Sequence, residues 1–382
     1  MTEKLYERDA FLTTFEARVL SCVQGKKGFD VVLDRTAFYP EGGGQPYDTG
    51  KLGDTAVLEV HSRDVGIVHT CDRPLEAGTA VTGVIDWERR FDLMQQHSGE
   101  HIVSGLAHAL WGCENVGFHL GAEVVTIDLS LPLTEDQRAQ LEEEANRYLW
   151  LDRPVEIAYP SPEELERIDY RSKKELTGQV RVVTFPGADC CACCGTHVRF
   201  AGQVGLVKLL SAQKFREGTR IELVCGGRAY RYLNRVFEQN AQISHLLSAK
   251  PFETAGAASR LWAENEALKF RLLSLENSRF AALAGQYAGQ GDVVLFEDGL
   301  SPDALRRLCD AVLHTCGGRC VCFSGTEDEG YKYAVAVSGG NLKEFTKALN
   351  QTLNGRGGGK PDFVQGAVRA TRGEIEAFLS NH

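Results

Sequence analysis

Phe91-Asp-Leu-Met-Gln-Gln-His97-Ser-Gly-Glu-His101-Ile-Val-Ser-Gly-Leu106 is the stretch on which the reading of this chain turns. Phe91, Met94, Ile102 and Leu106 recur at helical spacing, and Val103 and Leu110 extend the apolar face, so a helix is expected from about Arg89. His97 and His101 stand four apart and project from one side of that helix, where both can grip one metal ion. A second pair lies far downstream in Cys193-Cys-Gly-Thr-His197. Its sulfur and imidazole would complete a tetrahedral N/S set, the preference of Zn²⁺. Either pair alone reads as core or surface residues. Together, with matched ligand chemistry, they read as one metal site formed by His97, His101, Cys193 and His197.

Upstream of this helix the period is two. Phe15–Leu20, Asp30–Asp34, Ala56–Val60 and Ala80–Ile85 are rich in β-branched residues, and Gly42-Gly43-Gly44, Gly50 and Gly53 divide them, which predicts a small β-barrel. Downstream, Thr134-Glu-Asp-Gln137 is a capping box opening an exposed helix through Tyr148. Val155–Tyr159, Val180–Phe185 and Gly205–Leu210 read as strands, with Cys193 and His197 on the loop after the second of these. From Arg228 to about Gly285 the chain reads as helix with one break at Lys250-Pro251. Ala258, Leu261, Asn265, Leu268, Leu272 and Leu275 alternate at spacings of three and four, an a/d seam that either pairs two chains or closes a hairpin turning at Pro251. The last segment alternates strands (Asp292–Phe296, Arg319–Phe323, Tyr331–Val337) with a helix opening at Ser301-Pro302 and another over Leu342–Leu353. The fold class expected is multidomain α+β. It comprises a β-barrel over residues 1–88, an α+β zinc-binding domain over 89–227, a helical arm over 228–288 and an α/β domain over 289–382.

At 382 residues the chain exceeds a single typical core. No stretch approaches the length of a membrane span, and the polar start Met1–Arg8 has no apolar leader, so a cytoplasmic protein with no membrane partner is expected. Twelve cysteines are sparse at this length and read as reduced thiols. The formal charge of −10 argues against indiscriminate nucleic-acid binding. Local basic groups could still meet phosphates: Lys208, Lys214 and Arg216; Arg228, Arg231 and Arg235; and Arg356 with Lys360 in a glycine-rich loop.

Three motifs in order carry a family resemblance: Phe38–Gly50 with its Glu-Gly-Gly-Gly-Gln core, the His97/His101 and Cys193/His197 pairs, and Gly355-Arg-Gly-Gly-Gly-Lys360-Pro-Asp-Phe-Val-Gln365. The set resembles the editing domain of alanyl-tRNA synthetase, and more closely the long form of the free-standing alanyl-tRNA editing proteins of AlaX type, with a C-terminal DHHA1-like domain. The resemblance implies zinc-dependent release of a wrongly attached amino acid, serine or glycine, from tRNA(Ala). It implies no aminoacylation, since the chain opens directly on the barrel. It places the metal on His97, His101, Cys193 and His197, and substrate contacts on Gly42, Gly43, Gly44, Gln45, Thr196, Arg356 and Lys360.

Two positions depart from the family pattern. The family reads Cys-Gly-Gly-Thr-His where this chain has Cys194 in place of the first glycine, so Cys190 and Cys194 are alternatives to Cys193 as ligand. A polar side chain that senses the substrate hydroxyl is expected where this chain reads Val116-Gly-Phe-His119. His119 is the candidate and Phe118 the alternative occupant. Glu100 is the candidate base. His97-Ser-Gly-Glu100-His101 also fits the His-x-x-Glu-His pattern of inverted zinc peptidases, although those take a carboxylate as third ligand. A third reading is a zinc-stabilised tRNA-binding module without turnover.

Overall fold

The structure, a computed structural model, describes residues 2–172 and 178–382. It divides into two compact units, 1–241 and 242–382. Among the described residues no helix is long and apolar enough to cross a membrane.

The first unit opens with six antiparallel strands: β1 (Thr14–Gln24), β2 (Phe29–Leu33), β3 (Gly50–Leu52), β4 (Thr55–Arg63), β5 (Gly66–Cys71) and β6 (Ala80–Ile85). They pair in the order β1-β2-β5-β4-β3-β6, and β6 returns to β1 through Thr14↔Val84 to Arg18↔Ala80, so the ring is closed and no strand is left with a free edge. Val19, Val31, Leu33, Leu52, Val57, Val60 and Ile67 fill its interior. Strands β3 and β5, too short or too mixed to stand out in the sequence, are what close it.

The helix α1 (Trp87–Trp111) follows at once. Asp86 caps it by accepting from the Arg89 N–H, and Gly112 ends it at φ 64°, a conformation glycine adopts without cost. Its middle is buried on all sides: Gln96, His97, Ser98, Glu100, His101 and Ser104 are all inside. Glycine makes this possible. A Cβ on Gly99 would lie 2.2 Å from Cys225 Sγ, and one on Gly105 would lie 2.2 Å from the Ala188 carbonyl, so both neighbours approach the helix backbone itself.

Around α1 lie a four-stranded sheet and a three-stranded one. The first joins β7 (Asn115–Leu120), β8 (Val125–Leu129), β12 (Val207–Phe215) and β13 (Gly218–Cys225) in the order β12-β13-β8-β7. The second joins β9 (Glu156–Ala158), β10 (Val182–Phe185) and β11 (Asp189–Ala192). The expected exposed helix is α2 (Glu135–Trp150), and the Thr134/Gln137 capping box is present. The helix α3 (Gly226–Leu246) leaves β13 with Arg228 bonded through Nε and Nη2 to Asp92 of α1.

The second unit contains α4 (Thr254–Gln286), β14 (Gly291–Phe296), α5 (Pro302–Cys316), β15 (Gly317–Thr326), β16 (Gly330–Val337), α6 (Lys343–Thr352), β17 (Arg356–Lys360), β18 (Phe363–Val368) and α7 (Arg372–Ser380). Its sheet runs β14-β15-β16-β18-β17, with only β14 and β15 parallel. One expectation is corrected here. The glycine run at 356–360 is an exposed edge strand paired to β18 from Arg356↔Ala367 to Lys360↔Phe363, not a loop. Close packing explains the glycines: a Cβ on Gly357 would meet Tyr333 Oη at 2.2 Å, and one on Gly359 the Phe363 carbonyl at 2.3 Å.

Candidate metal centre

His97 and His101 project from α1 into its most enclosed stretch, and Cys193 and His197 arrive from the segment after β11. One ligand atom from each of the four lies within 4.8 Å of the others. Cys193 Sγ stands 3.5 Å from His97 Nε2 and 3.4 Å from His197 Nε2. The other thiols of the cysteine hairpin are not in the four-residue group, although Cys191 and Cys194 line the same pocket and Cys191 lies within 4.8 Å of the His101 and Asp189 ligand atoms. Cys190 Sγ meets Thr184 Oγ1 at 3.4 Å, Cys191 Sγ turns to the Ala192 carbonyl, and Cys194 is exposed.

Each imidazole is held by its far nitrogen. His97 Nδ1 donates to Gln45 Oε1 (2.9 Å), His101 Nδ1 donates to Asp189 Oδ2 (2.7 Å), and His197 Nδ1 pairs with Ser98 Oγ (3.2 Å). With Nδ1 occupied in all three, Nε2 is the atom left for a ligand, the arrangement that orients metal-binding histidines. The donor set of three imidazole nitrogens and one sulfur, with no carboxylate in the group, suits Zn²⁺. Asp189 belongs to the opposite nitrogen of His101, so the carboxylate ligand that an inverted zinc peptidase needs is not among the four.

The electrostatics agree with that chemistry. Burial alone would raise the Cys193 thiol, but His97, His197 and His101 around it hold it well below the ordinary thiol range. Burial pushes His197 down to about 3, so it stays neutral. Burial also opposes ionisation of Asp189, yet hydrogen bonds from His101 and Arg171 hold its carboxyl below the usual range. At His101 burial opposes the charged form, but Cys193 and Asp189 beside it hold the imidazole well above its ordinary range, so metal binding there would have to displace a proton.

His97, His101 and Cys193 line a pocket of about 490 Å³, while His197, fully buried, lies outside its lining. Gly43, Gly44, Glu100, Phe118, Arg171 and Ser172 are among its walls. Gly43 and Gly44 sit at φ 55° and 83°, the two left-handed positions of a tight hairpin turn closed by bonds between Gly42 and Gln45. A Cβ on Gly44 would come within 2.5 Å of the Phe118 ring, which stacks on His97 with centroids 5.5 Å apart. Gly195 is equally constrained, since a Cβ there would lie 2.2 Å from His97 Cε1. Glu100, 2% exposed, accepts from Ser104 Oγ (2.9 Å) and from Asn115 Nδ2.

Four of the sequence candidates, His119, Gln45, Thr196 and Gly42, are not among the residues that line the pocket. His119 is exposed, because neighbours on β7 point to opposite faces and Phe118 takes the pocket side. Gln45 and Thr196, expected to touch substrate, are both 1% exposed and do not line the pocket. Gln45 Nε2 donates to Thr196 Oγ1 (2.8 Å) while its Oε1 accepts from the Thr196 N–H (3.0 Å) as well as from His97. Gly42 lies in the turn but outside the lining. Arg356 and Lys360 are in the second unit, Arg356 in a cleft with Lys332 and Arg369, Lys360 in another with Lys343 and Lys347.

The chain is 30% identical over 395 residues to alanyl-tRNA editing protein Aarsd1-A of Xenopus laevis, covering 98% of this chain and 96% of the relative. The chain belongs to the alanyl-tRNA editing protein family. Within that family it is also 32% identical to Aarsd1 of Mus musculus, over 71% of this chain and 70% of that protein. Alanine–tRNA ligase of Pyrococcus abyssi matches at 32% identity over 99% of this chain but only 43% of its own length. Three family models match in order: tRNA synthetases class II (A) over residues 7–89, the threonyl and alanyl tRNA synthetase second additional domain over 180–222, and the DHHA1 domain over 289–381.

Sequence reading missed the residues that aim the imidazoles. Asp189 lies four residues before Cys193 and Ser98 lies inside the histidine motif, so proximity was a signal for both. Asn115 and Arg171 offered none, because only the folding of β7 and β11 against α1 brings them near.

Proposed function

We propose that this chain is an aminoacyl-tRNA deacylase that removes a wrongly attached amino acid, serine first and glycine second, from tRNA(Ala). The observation that carries the reading is the convergence of three imidazoles and Cys193, of which His97, His101 and Cys193 line a pocket walled by the glycine turn Gly43-Gly44, in a chain of the editing family. In this reading His97, His101, Cys193 and His197 hold Zn²⁺. Zinc there would polarise an ester carbonyl or bring the pKa of a bound water to about 7.

The chain's own residues then do the following. The bare backbone of Gly43 and Gly44 admits the terminal adenosine close to the pocket floor. Phe118 and Gly44 pack against each other and narrow the space beside His97. Glu100, held by Ser104 and Asn115, takes the proton of the attacking water. With His119 outside the pocket, the group that recognises a serine hydroxyl is sought among Glu100, Arg171 and Ser172. A polar group left unpaired by alanine costs roughly 1–3 kcal/mol, enough for about a tenfold to hundredfold preference.

The closed ring of strands is read as the small β-barrel and residues 1–88 as its domain, with 89–227 the editing domain, 228–288 the arm and 289–382 the C-terminal domain. Arg356 and Lys360 are read as phosphate contacts. The protein is read as cytoplasmic and as a dimer through the seam of α4.

The test is discharge of Ser-, Gly- and Ala-tRNA(Ala) by the full chain, with and without a chelator. Serine should be released, alanine spared, and activity lost to the chelator and restored by Zn²⁺. Removal of alanine as fast as serine overturns the editing reading. Binding of tRNA without turnover favours the binding module, and cleavage of a peptide favours the peptidase.

A further inference from the structure

A second convergence of ligand atoms lies in the C-terminal unit. Cys309 projects from α5, while Cys320 and Cys322 are alternate residues of β15 and so share the sheet face that packs under that helix. All three have no exposed surface. Their sulfurs all lie within 4.8 Å of one another, and Cys320 Sγ and Cys322 Sγ are 3.5 Å apart. Cys309 Sγ is also 3.4 Å from the Cys320 carbonyl and 3.5 Å from that of Ala334.

We propose that Cys309, Cys320 and Cys322 form an all-sulfur metal site for a soft monovalent cation, Cu(I).

The spacing carries the proposal first. Three sulfurs bonded to one cation at about 2.3 Å in a plane stand about 4.0 Å apart, inside the range these three already span. The donor set carries it next. Among the described residues no histidine, carboxylate or fourth cysteine joins the group, so an ion that requires four or six donors is poorly served. Thiolates alone select soft metals, and a cation content with three ligands needs no water, which a core without exposed surface would not supply. Loading exchanges one thiol proton, which leaves to solvent, for the single positive charge of the cation, so the site stays neutral with one thiolate and two thiol sulfurs as donors. A cluster of cysteines serving only as small apolar filler would bind no such ion.

The experiment uses the full chain with its His/Cys group saturated with Zn²⁺, titrated with Cu(I) held by a chromophoric competitor, zinc release being followed in the same sample. Cys309→Ala and Cys322→Val are run beside the wild type, with circular dichroism to establish that each is folded. A parallel set is refolded from denaturant in the presence of Cu(I), so that slow entry into a sealed core does not decide the result. The wild type should take up one Cu(I) per chain more than either variant and show a near-ultraviolet sulfur-to-copper absorption that both lack. Equal Cu(I) uptake by wild type and variants in both sets overturns the site.

Discussion

Gln45 offers both ends of its amide to the metal centre, donating to Thr196 and accepting from His97 and the Thr196 N–H. It thereby ties the glycine turn of the strand ring to both ligand pairs at once. Replacing it by leucine keeps the volume but leaves His97 Nδ1 and the Thr196 N–H without their acceptor. Metal affinity measured against a chromophoric chelator should fall about 10–100-fold, the usual cost of losing such a partner. Unchanged affinity would mean that packing alone orients His97. In the proposed reaction Glu100 acts as the base and not as a metal ligand. Glu100→Gln preserves shape and an acceptor for Ser104, so metal content should stay at the wild-type level while the rate of serine release drops about 10²–10⁴-fold. A variant that loses metal and activity together would make Glu100 structural.

Among the elements, α1 is the one on which the site depends, and its glycines set how closely its neighbours approach. A Cβ at Gly105 would collide with the Ala188 carbonyl and lie 2.6 Å from Asp189 Cβ, the residue that holds His101. Gly105→Ala should therefore destabilise the protein by about 1–3 kcal/mol, as overpacking does, and weaken metal binding as well. Gly112→Ala is the matched control at the end of the same helix. It meets nothing within 4 Å and strains only a φ of 64°, so it should cost about 1–2 kcal/mol and leave metal binding alone. Denaturant melts and metal titrations of the two variants separate the effects; equal loss of affinity in both would remove Asp189 from the explanation. Strand geometry acts at the same scale. The one-residue alternation of β7 puts Phe118 in the pocket and His119 in solvent, a choice that the stretch Val116–His119 leaves open when read as letters.

At the scale of the whole molecule, the first unit is tied together by a fully buried ion pair. Arg90 of α1 donates to Asp48, to the Ala10 carbonyl and to the Ala37 carbonyl, while Asp48 accepts from the Tyr39 N–H. One guanidinium thus fixes the ring's glycine-turn segment to the helix that carries His97 and His101. The second unit has an unpaired feature of another kind. Leu261, Leu268, Leu272 and Leu275 along α4 are 55–64% exposed, a leucine seam of the sort that pairs helices. Light scattering of the wild type should show a dimer, and Leu268→Glu should shift it toward monomer at the same concentration. A wild type that stays monomeric would leave the seam without a second copy.

What the sequence determined by itself was whatever local periodicity and spacing encode. The i, i+4 placement of His97 and His101, the Thr134 capping box, the Ser301-Pro302 helix start and the alternation of strands and helices after Gly291 all express interactions within a turn or two of chain, and all were readable. The three motifs in order were enough to identify the family, because a motif set survives where overall identity is 30%. Tertiary structure decided what depends on residues far apart in the chain. It brought Cys193, rather than Cys190 or Cys194, together with the three imidazoles and turned Gln45 and Thr196 from expected surface contacts into buried struts. It made the run at 356–360 a strand by supplying β18 as a partner, and it brought Asp189, Ser98 and Gln45 to the three imidazoles. These outcomes follow from long-range packing and hydrogen bonding, whose partners no local window contains.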